Sequence, residues 1–349
     1  MRTAHHYSQM EHKEAGMLHG VSRSFALTIP QLPPPLRSPV TTGYLLCRIA
    51  DTIEDEDNLR VDQKAFFFQR FIQVVEGKAR AEELAEELFP LLSGGTLPAE
   101  KELIRNMPWV VQRTFSLSEN QQIALKRCAT IMARGMQSFQ ERKGLEGLRD
   151  LRELDRYCYH VAGVVGEMLT DLFCDYSEAI GRSKEKLLSL ACSFGQGLQM
   201  TNILKDLWDD RKRGSCWLPR DVFEKWDCDL RRLSPGAFGR SCGKALAELV
   251  GLACRHLGNA LTYSLLVPPG ETGIRKFCLW AVGLAIFTLR NIVRHPDYSS
   301  GGDVKVSRRR VKEIILLTNM TLRSNYLLKV LFRLSSTGLP DALRIDSGL

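Results

Sequence analysis

Asp51-Thr-Ile-Glu54-Asp55 and Asp206-Leu-Trp-Asp209-Asp210 place carboxylates at one spacing twice in the same chain. On a helix, residues four apart lie about 40° apart around the axis and about 6 Å along it, so Asp51 with Asp55, and Asp206 with Asp210, share a face. Glu54 and Asp209 flank those pairs. Like charges so placed disfavour a helix by a few tenths of a kcal/mol. Both clusters also fall near predicted helix C-termini, where the macrodipole opposes negative charge. A cation would restore the balance. Hard oxygen donors with no neighbouring His or Cys cluster favour Mg²⁺, which keeps part of its water shell and binds substrate phosphates. One such cluster alone reads as a solvated polar helix end. The matched pair, each closing an apolar helix, points to metal, with Asp51, Glu54, Asp55, Asp206, Asp209 and Asp210 as the set.

Other groups suit an anionic ligand. Ser22-Arg23-Ser24-Phe25 sets a fixed cation beside two hydroxyls and an aromatic. An arginine offers two donors to diphosphate oxygens, although in isolation Arg23 reads as an exposed loop residue. Arg48, three residues before Asp51 on the same helix face, reads as its intrahelical salt-bridge partner. Gly163 and Gly166 lie inside a predicted helix, where each costs about 1 kcal/mol relative to Ala. Either close helix packing or room for a bulky apolar chain would require them. His160 reads as a packed or surface histidine. Lys305-Val-Ser-Arg308-Arg309-Arg310-Val-Lys312 opens a helix with five basic residues, but without an aromatic stacking platform or a recognisable nucleic-acid module. No nucleic-acid partner is expected. A solvated basic face and attraction to anionic lipid heads both stay open.

The elements that must position these groups are helices. Apolar residues recur at spacings of 3 and 4, which predicts helices near 8–21, 38–56, 61–75, 80–92, 98–112, 118–142, 150–175, 183–210, 240–266, 271–294 and 307–333. Strand and hairpin signals are poor. Pro33-Pro34-Pro35, Ser93-Gly94-Gly95, Arg211 to Pro219, Pro268-Pro269-Gly270 and Ser299 to Gly302 mark loops. The reading is one all-α domain over 1–349, with a tail over about 336–349 expected to be mobile. The 349 residues hold 48 Lys+Arg against 40 Asp+Glu, a net charge of +8, and are 44% hydrophobic, too apolar for a disordered chain. Ten scattered cysteines without a CxxC pair read as reduced thiols rather than a disulfide framework. No signal-peptide core is apparent, and the longest uncharged apolar run, Cys278 to Leu289, is 12 residues, too short to span a bilayer unaided. A cytoplasmic protein is expected.

Taken with their flanks, the two acidic motifs resemble those of the squalene/phytoene synthases, the head-to-head trans-isoprenyl diphosphate synthases. Ser22-Arg23-Ser24-Phe25, Tyr157-Cys-Tyr-His-Val-Ala-Gly163-Val-Val-Gly166 and the block Gln199 to Asp210 resemble that family too, and the likeness covers roughly residues 18–320. It implies a single-domain isoprenoid synthase-type helical bundle with a central apolar pocket. It also implies condensation of two farnesyl diphosphates through presqualene diphosphate, with Asp51, Asp55, Asp206 and Asp210 serving catalysis through Mg²⁺. Tyr157 would face the reacting carbons, assisting proton removal or stabilising a cation with its ring. Ser22, Arg23, Ser24, Phe25, Tyr44, Arg48, Gly163, Gly166, Gln199, Asn202 and Lys205 would hold substrate.

The order Phe277-Cys278, apolar helix, Val304-Lys305-Val306 resembles the reductive branch of the family. That branch reduces its intermediate with NADPH to squalene, and Arg48, Asn202, Lys305, Arg308 and Arg309 would contact the cofactor. Ser307 stands where that branch carries an arginine, so a non-reductive phytoene, dehydrosqualene or hydroxysqualene synthase is the runner-up. A helical assembly module is the non-enzymatic alternative. A hydrocarbon product also suggests peripheral contact with the inner membrane face.

Overall fold

The computed structural model describes residues 2–22, 24–140, 144–236 and 239–340, with side chains from residue 12 onward. The described residues form helices α1 (Arg2–Val21), α2 (Ser24–Thr28), α3 (Pro34–Asp55), α4 (Val61–Val75), α5 (Ala81–Leu88), α6 (Pro98–Arg105), α7 (Met107–Phe115) and α8 (Glu119–Gln140). They continue with α9 (Leu151–Cys158), α10 (Val164–Tyr176), α11 (Glu178–Gly181), α12 (Lys184–Lys212), α13 (Arg220–Glu224), α14 (Arg240–Leu266), α15 (Thr272–Arg294), α16 (Arg308–Thr321) and α17 (Asn325–Ser336). Among the described residues there is no strand, only an isolated bridge between Leu148 and Pro219.

The chain divides into two compact units, one of Met1–Glu141 with Glu167–Lys184 and one of Arg142–Gly166 with Glu185–Leu349. In the first, α3 packs against α1, α7 and α8, and α4 packs against α8. Its interior holds Leu45, Leu46 and Ile49 of α3 with Phe68 and Phe71 of α4. Pro34 and Pro35 open α3, where no backbone N–H is needed, so the helix begins earlier than its apolar pattern suggested. Beyond Asp55 the backbone turns extended at Glu56. The Glu56 carboxylate accepts from the Asn58 and Ser93 amides at 2.9 and 3.1 Å and from the Thr96 hydroxyl. Burial works against its charge, but these donors hold its pKa below the usual value. The end of α3 is thereby tied to the 93–96 loop.

In the second unit α15 packs against α14, α16 and α17. It is the one helix among the described residues long and apolar enough to cross a membrane by length and composition, and more than half of that apolar stretch is buried within the protein. Charged residues flanking the shorter run do not lower the helix's mean hydropathy enough to exclude it. Phe277, Cys278, Trp280, Ile286 and Leu289 of α15 are buried within the unit.

Three predicted helices are interrupted. The one predicted at 98–112 breaks at Asn106, just before Pro108, into α6 and α7. The one predicted at 150–175 contains a π-helical turn over Tyr159–Gly163. The one predicted at 307–333 breaks after Thr321, where buried Arg275 donates to the Leu322 carbonyl and to Asn325 Oδ1. Ser324 then caps α17, its Oγ accepting from the Leu327 amide at 3.3 Å. The expectation of reduced thiols throughout is corrected at one pair. Cys228 and Cys242 form a disulfide with Cα atoms 5.4 Å apart, because the chain after α13 folds back onto the first turn of α14. The other eight cysteines are free. Within the stretch from about 336 expected as a mobile tail, Ser336 and Leu339 are buried; residues 341–349 lie outside the described residues.

Candidate functional site

Tyr44, Arg48, Asp51 and Asp55 follow one another at steps of four, three and four along α3, so they form one stripe. The Tyr44 hydroxyl donates to the Val21 carbonyl at 3.2 Å, and its ring lies 5.0 Å from that of Phe25. Ser22 Oγ accepts from the Phe25 amide at 3.0 Å. The structure therefore brings Ser22, Phe25 and Tyr44 together at the start of the stripe. Ser24 is exposed, and Arg23 lies outside the described residues. Arg48 bridges Asp51, at 3.3 Å, and Glu100 on α6. Glu100 also accepts from the Leu97 amide at 3.2 Å, fixing the acid that fixes the arginine.

Asp51 carries the main electrostatic tension of this end. Burial raises its pKa, Arg48 lowers it, Asp55 raises it again, and the balance leaves it at about 6. Its side chain remains 35% exposed, so water and an ion can reach a carboxylate that protein atoms crowd. Asp55 is exposed. Glu54 is buried and accepts from Gln140 Nε2 at 3.3 Å, while its backbone carbonyl accepts from the buried Lys64 ammonium. Its carboxylate is engaged inside the unit.

On α12 the corresponding stripe is Gln199, Asn202, Asp206 and Asp210, with Lys205 and Asp209 beside it. Lys205 Nζ lies 3.0 Å from Asp206 and donates to Asn202 Oδ1 at 3.3 Å. Lys212 lies 3.4 Å from Asp209, and Arg213 lies 2.6 Å from Asp210. The loop after α15 closes over this end. The Gly301 amide donates to Asp209 Oδ2 at 3.2 Å, and the Tyr298 hydroxyl donates to the Leu204 carbonyl. A Cβ at Gly301 would lie 2.5 Å from Asp206 Oδ1, so any larger residue there would have to displace that carboxylate. The same loop runs on to Lys305, which is exposed, and Ser307 caps α16 by accepting from the Arg310 amide at 3.3 Å. Arg308 and Arg309 begin that helix, Arg309 pairing with Glu313 at 3.1 Å.

Tyr157, the last aromatic of α9, is buried and stacks on Trp217 with centroids 4.1 Å apart and planes 6° apart. The loop bearing Trp217 is pinned beside α9 by Leu148, whose amide and carbonyl bond to Leu218 and Arg220 at 2.9 and 2.7 Å. The next residues form the π turn, a feature that often accompanies functional sites. The choice left open for the two glycines falls to packing. A Cβ on Gly163 would lie 2.8 Å from Cys192 Sγ, and one on Gly166 would run into the backbone carbonyl of Ala191, both on α12. Gly195 answers from α12 by meeting the Ala162 backbone. His160 Nδ1 is buried, in keeping with a packed histidine.

Sequence reasoning missed Glu100, Trp217 and Gly301. Of these, only Gly301-Gly302 left a usable signal, since paired glycines in a loop can mark a close backbone approach. Among the described residues no three His, Cys, Asp or Glu side chains converge as a ready-made metal cage. Two carboxylates per helix end fit Mg²⁺ all the same, because that ion commonly takes one or two protein carboxylates and completes its shell with water and phosphate.

The squalene/phytoene synthase family model matches residues 18–310, and the chain belongs to that family. It is 29% identical over 307 residues to the Botryococcus squalene synthase of Botryococcus braunii, covering 86% of this chain and 62% of that protein. It is 28% identical over 314 residues to a squalene synthase of Saccharomyces cerevisiae, covering 88% of this chain and 66% of the relative. The chain thus spans about three fifths of the length of the curated relatives it matches. Its fold matches a ligand complex of TcSQS with a TM-score of 0.75 at 23% identity, over 96% of this chain and 95% of the other. A dehydrosqualene synthase in complex with ligand follows with a TM-score of 0.62 at 22% identity, over 92% and 99%.

Proposed function

We propose that the chain is a squalene synthase, acting as one synthase domain that joins two farnesyl diphosphates head to head through presqualene diphosphate. The observation that carries the reading is the paired acidic helix ends of α3 and α12 in a member of this family. Asp51, Asp55, Asp206 and Asp210 would hold Mg²⁺, with Asp209 beside them and Glu54 fixing the helix end from inside. When bound, Mg²⁺ supplies charge neutralisation for the departing diphosphate, and NADPH supplies the hydride that closes the product as squalene.

The chain's own residues do the rest. Arg48, held by Glu100, offers donors to a diphosphate or a nicotinamide phosphate; Ser22, Phe25 and Tyr44 lie together at the start of its stripe, and Arg23 and Ser24 would add a cation and a hydroxyl for the substrate. Gln199, Asn202 and Lys205 extend the polar stripe of α12. The Tyr157 ring, steadied by Trp217, would lend its face to a developing cation, and its hydroxyl would assist proton removal. Gly163 and Gly166 set the bend of that segment against α12. Lys305, Arg308 and Arg309 would hold the cofactor phosphates, and the apolar interior would keep water from the cation. A hydrocarbon product is costly to release into water, at about 0.8 kcal/mol per CH₂, so peripheral contact of a cytoplasmic enzyme with a membrane belongs to the same reading.

Product analysis from farnesyl diphosphate and Mg²⁺, with and without NADPH, tests it. Squalene only with NADPH is the expected result. The second reading, a non-reductive dehydrosqualene-type synthase, is favoured by Ser307, which caps a helix and brings no cation to the cofactor stretch. It predicts the same unsaturated or hydroxylated product with or without NADPH. No turnover of farnesyl diphosphate under either condition would overturn both.

A further inference from the structure

The molecule's exposed apolar side chains are not spread evenly. Of 16 large hydrophobic residues exposed among the described residues, seven fall between positions 316 and 334. On α16 they are Leu316, Leu317 and Met320; on α17 they are Tyr326, Leu327, Val330 and Leu334. Met320 and Tyr326 are 74% and 73% exposed, and Leu334 and Leu316 are 65% and 60%. Steps of four join Leu316 to Met320 and Tyr326 to Val330 to Leu334, so each helix presents one stripe. The opposite faces, with Ile314 and Thr318 on α16 and Leu328 and Phe332 on α17, are buried, and both helices pack on α15. Both apolar stripes therefore lie on the side away from α15. Buried Arg275 pins the turn between the two helices through Leu322 and Asn325, which makes the hairpin a fixed platform.

Charge sorts the occupants. Residues 314–340 contain Arg323, Lys329 and Arg333 and no Asp or Glu. Arg308, Arg309 and Lys312 line a shallow depression with Glu313 and Leu316 at the other end of α16. Arg308, Lys312 and Arg323 have no ion-pair partner among the described residues. An apolar face fringed by cations, on two packed helices whose one acid, Glu313, is already paired with Arg309 and Arg310, is complementary to a bilayer surface with anionic headgroups.

We propose that the solvent face of the α16–α17 hairpin is a docking surface for an anionic lipid bilayer, with Leu316, Met320, Tyr326 and Leu334 entering the headgroup–acyl boundary and Lys312 and Arg323 meeting lipid phosphates. This deepens the membrane contact of the proposed function and rests on it only for the chemistry of the product. Docking itself needs no turnover, so either reading can fail alone.

The test is co-sedimentation of the full chain with phosphatidylcholine vesicles and with vesicles containing about one third phosphatidylglycerol, without substrate, at low and physiological salt. The expected result is partitioning onto the anionic vesicles at least 10-fold above the neutral ones, weakened by salt. Joint Leu316→Ser, Met320→Ser, Tyr326→Ser and Leu334→Ser changes should cut it at least 10-fold. Lys312→Gln with Arg323→Gln should cut it several-fold, and both variants should keep their activity on detergent-dispersed substrate. Light scattering is run alongside. Absence of anionic-vesicle binding, binding that survives the quadruple change, or a dimer that dissolves with that change in a chain indifferent to vesicles would each overturn the proposal.

Discussion

The acidic ends of α3 and α12 have one sequence pattern and two electrostatic solutions. On α12 each acid has its own cation, Lys205 for Asp206, Lys212 for Asp209 and Arg213 for Asp210. The last turn adds Arg211 and Lys212, which suit a helix C-terminus. On α3 the last turn carries no basic residue, and a single arginine is divided between Asp51 and Glu100. The consequence is visible in Asp51, whose pKa is pushed up to about 6, by burial above all. The two ends are also clamped differently. Glu56, a buried side chain, anchors the first through the 93–96 loop, whereas the backbone of Gly301 anchors the second. Each acid of the α12 end has a cation of its own, whereas Asp51 of the α3 end has only a share of Arg48.

The harshest way to break this comparison is to remove one acid from each end. Asp51→Asn and Asp206→Asn should each lower presqualene diphosphate formation by about 10³-fold or more, since removing a single preorganised electrostatic group costs on the order of 10²–10³ and in the proposed reading these acids would also hold the ion. Near-normal turnover by either variant, with Mg²⁺ still required, would sink the assignment of that end.

A milder division is expected at the loop that links the second end to the cofactor stretch. Joint Lys305→Ala, Arg308→Ala and Arg309→Ala changes should leave presqualene diphosphate formation within a few-fold of normal but curtail reduction, so that the intermediate or water-quenched alcohols accumulate. Equal loss of both half-reactions would mean that the stretch supports the whole site. Gly301→Ala probes the clamp alone. The added methyl meets Asp206 Oδ1 at 2.5 Å and Asp209 Oδ2 at 3.3 Å, so it must displace the acids or the loop. A loss of about 1–3 kcal/mol in stability, typical of overpacking, should accompany a fall in turnover of roughly 10-fold or more. Glu100→Gln, the counterpart on the first end, should act through Arg48 and raise KM more than it lowers kcat.

Local signals made the helix frame legible. The α12 segment was expected at 183–210 and runs Lys184–Lys212; α3 was expected at 38–56 and runs Pro34–Asp55. The acids, Arg48 and Tyr157 could be picked out because their types and spacing are local facts. Trp217 could not, because its meeting with Tyr157 depends on Leu148 pinning a loop some 60 residues away in the chain. Glu100 reads as an ordinary acid in the first turn of a helix until α6 is seen beside Arg48. The breaks at Asn106 and Leu322 were hidden by continuous apolar periodicity, and Arg275 imposes the second from another helix. The disulfide was missed for the same reason. Scatter along the sequence says nothing of Cys228 and Cys242 meeting in space.

The smallest expected effect is the most discriminating between the two ends, because it concerns stability and not turnover. The folded-state pKa of Asp51, about 6, exceeds the ordinary carboxyl value of 3.8, so folding favours its protonated form. Its contribution is therefore fully present below about pH 4 and is lost as pH rises through 6; at pH 7 the ionised group works against the fold. In Mg²⁺-free protein, Asp51→Asn should raise the melting temperature at pH 7, by on the order of one or two degrees given its partial exposure. The wild type should gain relative to that variant as pH falls from 7 to 5. Asp206→Asn removes one partner of a half-exposed pair with Lys205 and should lower the melting temperature slightly or leave it unchanged. Mg²⁺ should then raise the melting temperature of the wild type and the Asp206→Asn variant more than that of Asp51→Asn. Melting curves at pH 5 and 7, with and without Mg²⁺, read all four outcomes. If the two substitutions shift stability in the same direction and lose the Mg²⁺ response equally, the ends are electrostatically alike and the proposed asymmetry is wrong.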